Sequence, residues 1–215
     1  MRVIHLQDLP PSTYVKFGKK KGSNFTEDRE FLLSLIKEFK NKAFDVSSIS
    51  KEIGVPRGLV YKILNGGKHK IRLEYLTKIV DFLQSKGVEK YTVSKLESRV
   101  YSPSCPHKGE LKTFIRENGE IKIKFPFMLK GPEVMKALTF PFTDGYVLRD
   151  YSGYVRVGYV NSNLKMHREI IRCVRSTFGD VDYSQRRVRN AYETYFAGIL
   201  GKIYVESLGF VPKNK

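Results

Sequence analysis

The residues of this sequence that could most directly do chemistry are the cations between Glu52 and Glu74, a stretch with no acidic residue. Lysine binds phosphate oxygens as a point charge, and the planar fork of arginine also fits two acceptors on a guanine edge. A solvated helix face without a ligand would mix charges of both signs. The stretch therefore predicts contact with a polyanion through Arg57, Lys62, Lys68, Lys70 and Arg72.

The chain as a whole is basic, with 39 Lys and Arg against 22 Asp and Glu and a formal net charge of +17. Both halves carry this excess, so the positive field favours nucleic acid as the partner. No stretch of the sequence approaches the length of a membrane span, and Met1 to Pro11 lacks a long apolar region. Cys105 and Cys173 cannot form a disulfide framework. We therefore expect double-stranded DNA as partner, no membrane, and a cytoplasmic location.

Four amphipathic helices are predicted between residues 26 and 87. The first begins at Thr26, and the second is capped by Asp45 and ended by Gly54. Pro56 suits the first position of the third helix, and the fourth follows from Leu73 to Gly87. Residues 1–25 are predicted to be a basic N-terminal arm, Lys68 to Arg72 a basic loop, and residues 88–119 a linker or irregular extension.

The segment from Ser48 to Gly66 resembles helix-turn-helix regulators of the lambda-repressor type, with Gly54-Val55 at the turn and Asn65-Gly66 at the end of the second helix. The resemblance covers about residues 26–86. It implies that the second helix enters the major groove, with Arg57 as the candidate for a guanine contact. A small helical bundle without a ligand is the alternative, and Tyr61 also fits a packing role. The implied DNA-binding residues are Arg57, Tyr61, Lys62, Lys68, His69 and Lys70.

In residues 120–215 the pattern changes to mixed helices and strands. A strand is predicted from Glu120 to Phe125 and a helix from Pro132 to about Thr143. Two strands, a helix, two more strands and a last helix follow, within residues 146–149, 154–161, 165–178, 186–196 and 199–208. The predicted fold class is multi-domain α and α+β: a four-helix helix-turn-helix bundle, then an αββαββα domain.

This element order, with Asp144-Gly145 after its first helix, resembles the LAGLIDADG homing endonuclease fold over about residues 121–210. The resemblance implies that the sheet lies in the major groove and that Asp144 is a catalytic ligand of Mg²⁺ in a homodimer. The motif is degenerate, since residues 137–145 keep only the final Asp-Gly and Pro141 breaks a helix. Thr139 and Phe142 also depart from the small residues of the usual helix contact. The implied DNA-binding residues are Arg149, Arg156, Arg186, Arg187 and Arg189.

Three functions fit these observations. The preferred one is a sequence-specific duplex-DNA-binding protein acting as a transcriptional regulator. The first alternative is a Mg²⁺-dependent, homodimeric, site-specific endonuclease that uses Asp144. The second alternative is an RNA-binding or ribosome-associated protein, because Tyr and Phe make up 13% of the chain and could stack on bases.

Overall fold

The chain folds into a mixed α/β structure of eight α-helices and several small, mainly antiparallel sheets, counted over the part described by the computed structural model. That part comprises residues 2–17, 26–42, 45–64, 70–97, 100–104, 111–112, 114–117, 120–123 and 126–214.

The helices of the first half begin and end close to the predicted residues. The Asp45 carboxylate accepts the Ser48 backbone N–H at 2.9 Å and so caps the second helix, while Gly54 ends it in the left-handed conformation. Their predicted bounds are confirmed to within one or two residues. The helices are α1 (Thr26–Lys42), α2 (Val46–Ile53), α3 (Arg57–Leu64), α4 (Leu73–Ser85) and the short α5 (Val93–Glu97).

The apolar positions that recur at helical spacing form the core of this half. Phe39 of α1 meets Phe82 of α4 edge to face, with ring centroids 5.6 Å apart. Six further side chains at these positions are buried, which is the contact that the amphipathic pattern predicts: Leu35, Ile49, Val60, Leu76, Ile79 and Leu83.

The N-terminal residues differ from the predicted loose arm over residues 2–17. They form β1 (Arg2–Ile4), a 3₁₀ turn (Leu6–Asp8) and β2 (Tyr14–Phe17). β2 lies between β3 (Lys70–Arg72) and β4 (Val100–Ser104) in an antiparallel sheet, so Lys70 to Arg72 form a strand where a loop was predicted. The segment is ordered because its apolar side chains, Ile4, Leu6, Leu9 and Val15, are all buried.

The predicted linker also contains regular structure where it is described. α5 and β4 lie in residues 88–119, together with β5 (Leu111–Lys112) and β6 (Phe114–Glu117). β6 pairs with β7 (Glu120–Ile123), and β8 (Phe127–Leu129) pairs with β1. The pairing of β8 with β1 joins residues far apart in sequence, which composition alone does not reveal.

From residue 132 onward the described elements follow the predicted types. Pro132 starts α6 (Pro132–Thr139), which ends in a 3₁₀ turn at Phe140–Phe142 because Pro141 cannot continue an α-helix. A π-helical turn (Ile203–Ser207) extends the last helix. The remaining elements are β9 (Gly145–Arg149), β10 (Val155–Asn161), α7 (Leu164–Phe178), β11 (Asp180–Val181), β12 (Tyr183–Val188), β13 (Ala191–Phe196), α8 (Gly198–Lys202) and β14 (Lys213–Asn214).

Five of these strands form one sheet in the order β12-β13-β10-β9-β14. The helices cover one of its faces. Val157, Tyr159 and Phe196 on that face are buried, and His167 of α7 hydrogen-bonds to Thr194 Oγ1 of β13 at 2.7 Å. Successive side chains of a strand point to opposite faces, so the alternate residues form a second face, called here the open face. It carries Tyr146, Arg156, Gly158, Arg186, Glu193 and Tyr195.

Candidate nucleic-acid interface

The turn between α2 and α3 is held by hydrogen bonds. Gly54 has φ 58° and ψ 39°, a left-handed conformation in which a Cβ would be strained. The Ser50 hydroxyl donates to the Val55 carbonyl at 2.6 Å, and Lys78 Nζ donates to the Gly54 carbonyl at 3.1 Å. These contacts fix where α3 begins relative to α2.

Arg57 and Tyr61 form a pair one turn apart on the exposed side of α3. The Arg57 guanidinium carbon lies 5.6 Å from the centre of the Tyr61 ring, and its Nη2 donates to the Tyr61 hydroxyl at 3.4 Å. Tyr61 is 44% exposed, which argues against the packing role that its sequence position also allowed. Lys62 lies in α3 and Lys70 in β3, whereas Lys68 and His69 lie outside the described residues.

The sheet brings together two of its five predicted arginines. Arg186 of β12 stands opposite Glu193, and Arg156 of β10 stands two residues from Gly158, so both belong to the open face. Arg149 shares the alternation of buried Val147, and Arg187 stands opposite Tyr192. Both therefore point to the helix-covered side. Strand alternation thus separates arginines that the sequence analysis grouped together.

Glu193 is the residue on the open face that the sequence analysis missed. It is 7% exposed, and its carboxylate accepts the Tyr146 hydroxyl at 2.5 Å and Arg186 Nε at 2.5 Å. Burial alone would raise its pKa, but these hydrogen bonds and the charge of Arg186 hold the pKa of Glu193 below its usual value. Glu193 therefore remains charged and fixes the orientation of Arg186, whose side chain is 59% exposed.

Tyr195 packs between the two arginines of the open face. The guanidinium carbon of Arg156 lies 5.1 Å from the centre of its ring, and that of Arg186 lies 5.9 Å away. Arg156 also lies 5.9 Å from the centre of the Tyr154 ring. Cation-π contact limits the rotamers of both arginines, so the face presents positioned guanidinium groups. The one signal in the sequence was the aromatic Tyr195 two residues from Glu193.

Tyr146 covers the backbone of Gly158. A Cβ built on Gly158 would lie 2.3 Å from Tyr146 Cζ and 2.4 Å from its hydroxyl oxygen, so the ring occupies the space of a missing side chain. Burial, followed by the Glu193 carboxylate, raises the pKa of Tyr146. Its hydroxyl thus stays protonated and donates to Glu193. Gly158 is needed for this arrangement.

Arg189 lies in the two-residue turn between β12 and β13. Its φ of 53° makes it the one non-glycine residue with positive φ among the described residues. Such a conformation costs a non-glycine residue energy and often marks a functional position. Arg189 is exposed and projects from the hairpin that also carries Arg186.

Asp144 is exposed between the 3₁₀ turn after α6 and β9. Its Oδ2 accepts Asn161 Nδ2 at 2.8 Å, and its carbonyl accepts the Val160 N–H at 2.9 Å. Burial and then the Asp144 carboxylate raise the pKa of Tyr159 nearby. Beside it, α6 and its 3₁₀ turn expose Met135 and Phe142, the latter stacked on Phe210 at 5.1 Å.

The carboxylate of Asp144 by itself is a poor fit to a metal pair. Within the described ranges, no three His, Cys, Asp or Glu side chains come together as metal ligands. Mg²⁺ takes oxygen ligands and is held by one or two carboxylates together with substrate phosphates. One of the two Asp144 oxygens already accepts a hydrogen bond from Asn161. A single chain therefore does not supply the metal pair that the resemblance implies.

The interface thus consists of two exposed cationic surfaces, one on α3 and one on the sheet. None of the described helices has the length and apolar character needed to cross a bilayer. No protein-family model matches the chain, and no curated protein shows significant similarity to it.

Proposed function

We propose that this protein binds duplex DNA in a sequence-specific manner and acts as a regulator rather than as a nuclease. The observation that carries the proposal is the open face, where Tyr195 and Glu193 hold the guanidinium groups of Arg156 and Arg186 in fixed positions. Positioned arginines suit base edges and phosphates in a groove because little side-chain freedom is lost on binding.

The helical half supports the same ligand. A turn held at Gly54 precedes a short helix that exposes the Arg57–Tyr61 pair, in keeping with the resemblance to helix-turn-helix regulators. In that docking mode the first turns of the second helix reach base edges. Arg57 lies in the first turn of α3 and is therefore the proposed base contact. The described elements from α6 to α8 likewise follow the LAGLIDADG order, which supports docking of the sheet in a groove.

The aromatic side chains of the open face favour duplex over single-stranded nucleic acid. Single strands bind by stacking bases on free aromatic faces. The Tyr195 ring is contacted by two guanidinium groups, and the Tyr146 ring lies against Gly158. Neither ring offers an open stacking platform, so this face fits a groove better than a row of splayed bases.

Fluorescence anisotropy with a mixed-sequence duplex and a single-stranded RNA tests the proposal. We expect tighter binding of the duplex, and each of Arg156→Ala and Arg186→Ala should weaken it about 10-fold and lower the salt slope by about 1. Arg168→Ala removes the same charge from the exposed side of α7 and serves as the matched control. Preference for RNA, or equal losses in all three variants, would contradict the proposal.

The endonuclease remains a second candidate because Asp144 is exposed beside the apolar surface of α6, where a second copy could supply another carboxylate. Incubation of supercoiled plasmid libraries with the protein and Mg²⁺ distinguishes the two functions. The regulator proposal expects no site-specific nicking. Nicking that disappears in Asp144→Asn would establish the nuclease instead.

A further inference from the structure

Residues 2–17, called here the bridge segment, connect the helical half to the sheet half. β1 pairs with β8, directly before α6, from Arg2 opposite Leu129 to Ile4 opposite Phe127. β2 pairs with β3, which leads into α4, with Tyr14 opposite Arg72. Backbone hydrogen bonds therefore run from the strand beside α4 through the bridge segment to the strand beside α6.

Other contacts fix the bridge segment between its two strands. Towards the sheet half, Ser12 Oγ accepts Lys202 Nζ at 2.7 Å, and the Asp8 carbonyl accepts the Ser207 hydroxyl at 2.8 Å. Towards the helical half, the Thr13 carbonyl accepts the Leu73 N–H at 2.8 Å. The same sixteen-residue stretch thus contacts the last helix of one half and the start of α4 in the other.

Burial makes this connection part of the core. Leu6 and Val15 are 0% exposed, Leu9 is 2% exposed, and all three belong to one apolar cluster that also contains Leu76 and Ile203. The Leu6 N–H donates to the buried Glu97 carboxylate at 2.6 Å. A flexible tether would be exposed and free of such bonds, so the bridge segment restrains the two halves rather than merely linking them.

We propose that the bridge segment makes each chain read one composite DNA site, in which a block contacted by α3 and a block contacted by the open face lie at one fixed separation. This inference rests on the proposed function. DNA is stiff over about 150 base pairs, and an insertion of about 5 base pairs turns one block to the opposite side of the helix. A rigid protein therefore accepts one spacing, whereas a tethered pair accepts several.

Selection from a library of randomised duplexes with the full-length protein tests the inference. We expect the enriched sequences to share two conserved blocks at a constant separation. Insertion of either about 5 or about 10 base pairs between the blocks should then weaken binding at least about 10-fold. Blocks at variable separations, recovery at the longer insertion, or a single block would each overturn the inference.

Two variants assign the blocks to the two halves. Arg57→Ala should relax the sequence preference in one block, and Arg186→Ala in the other, while Arg168→Ala leaves both unchanged. If Arg57→Ala and Arg186→Ala relax the same block, the composite site is overturned even though duplex binding stands. If no duplex is enriched at all, the proposed function fails, and the composite site fails with it.

Discussion

Gly158→Ala provides the sharpest test of how the open face is built. The new Cβ would meet Tyr146 Cζ at 2.3 Å, so the ring must leave its place over β10. Tyr146 would then lose its hydrogen bond to the buried Glu193 carboxylate. A hydrogen bond to a charged group contributes about 1.5–3 kcal/mol, and we therefore expect the free energy of unfolding to fall by about 2 kcal/mol.

The same substitution should have the opposite effect once the ring is removed. In a Tyr146→Ala background nothing remains of the ring to clash with the Cβ. Alanine is favoured over glycine inside a strand by about 0.5–1 kcal/mol, mainly because glycine loses more chain entropy on folding. Gly158→Ala should therefore stabilise that variant slightly.

Urea unfolding of the four proteins in this double-mutant cycle measures both effects. The reasoning predicts a change of sign between the two backgrounds and a coupling energy of about 2–3 kcal/mol. Tyr146→Phe is the matched control, because it keeps the ring and hence the clash. If Gly158→Ala costs as much in the Tyr146→Ala background as in the unmodified protein, the ring does not depend on the missing side chain and the reasoning is refuted.

Three further results are expected. Arg189→Gly should weaken duplex binding while changing the free energy of unfolding by less than about 1 kcal/mol, since glycine relieves the positive φ but gains chain entropy when unfolded; a large loss of stability would contradict this. Glu193 has a lowered pKa, so its contribution to stability is present above its ordinary value of 4.5 and is lost as the pH falls below it; thermal unfolding of Glu193→Gln should lack this acid-dependent part. Gly54→Ala should lower the free energy of unfolding by about 1–2 kcal/mol, because its φ is 58°, and Gly54→Asn should cost less in the same urea assay.

The sequence determined the local elements of this protein. Asp45 and Gly54 mark the ends of α2 by their own chemistry, since one accepts a free backbone N–H and the other adopts a left-handed conformation. Pro141 ends α6 in the same local way. The net charge of +17 is likewise a property of composition, and the expectation of a polyanionic ligand follows from it without any knowledge of the fold.

Tertiary structure decided which side chains meet. Arg149 and Arg156 both lie on strands, but only pairing register shows that they point to opposite faces. Glu193 looks like an ordinary acid in the sequence until Tyr146, 47 residues away, donates to it. The pairing of β1 with β8 joins residues more than a hundred positions apart, and local propensity contains no information on such contacts because their free energy comes from burial and closure of the whole chain.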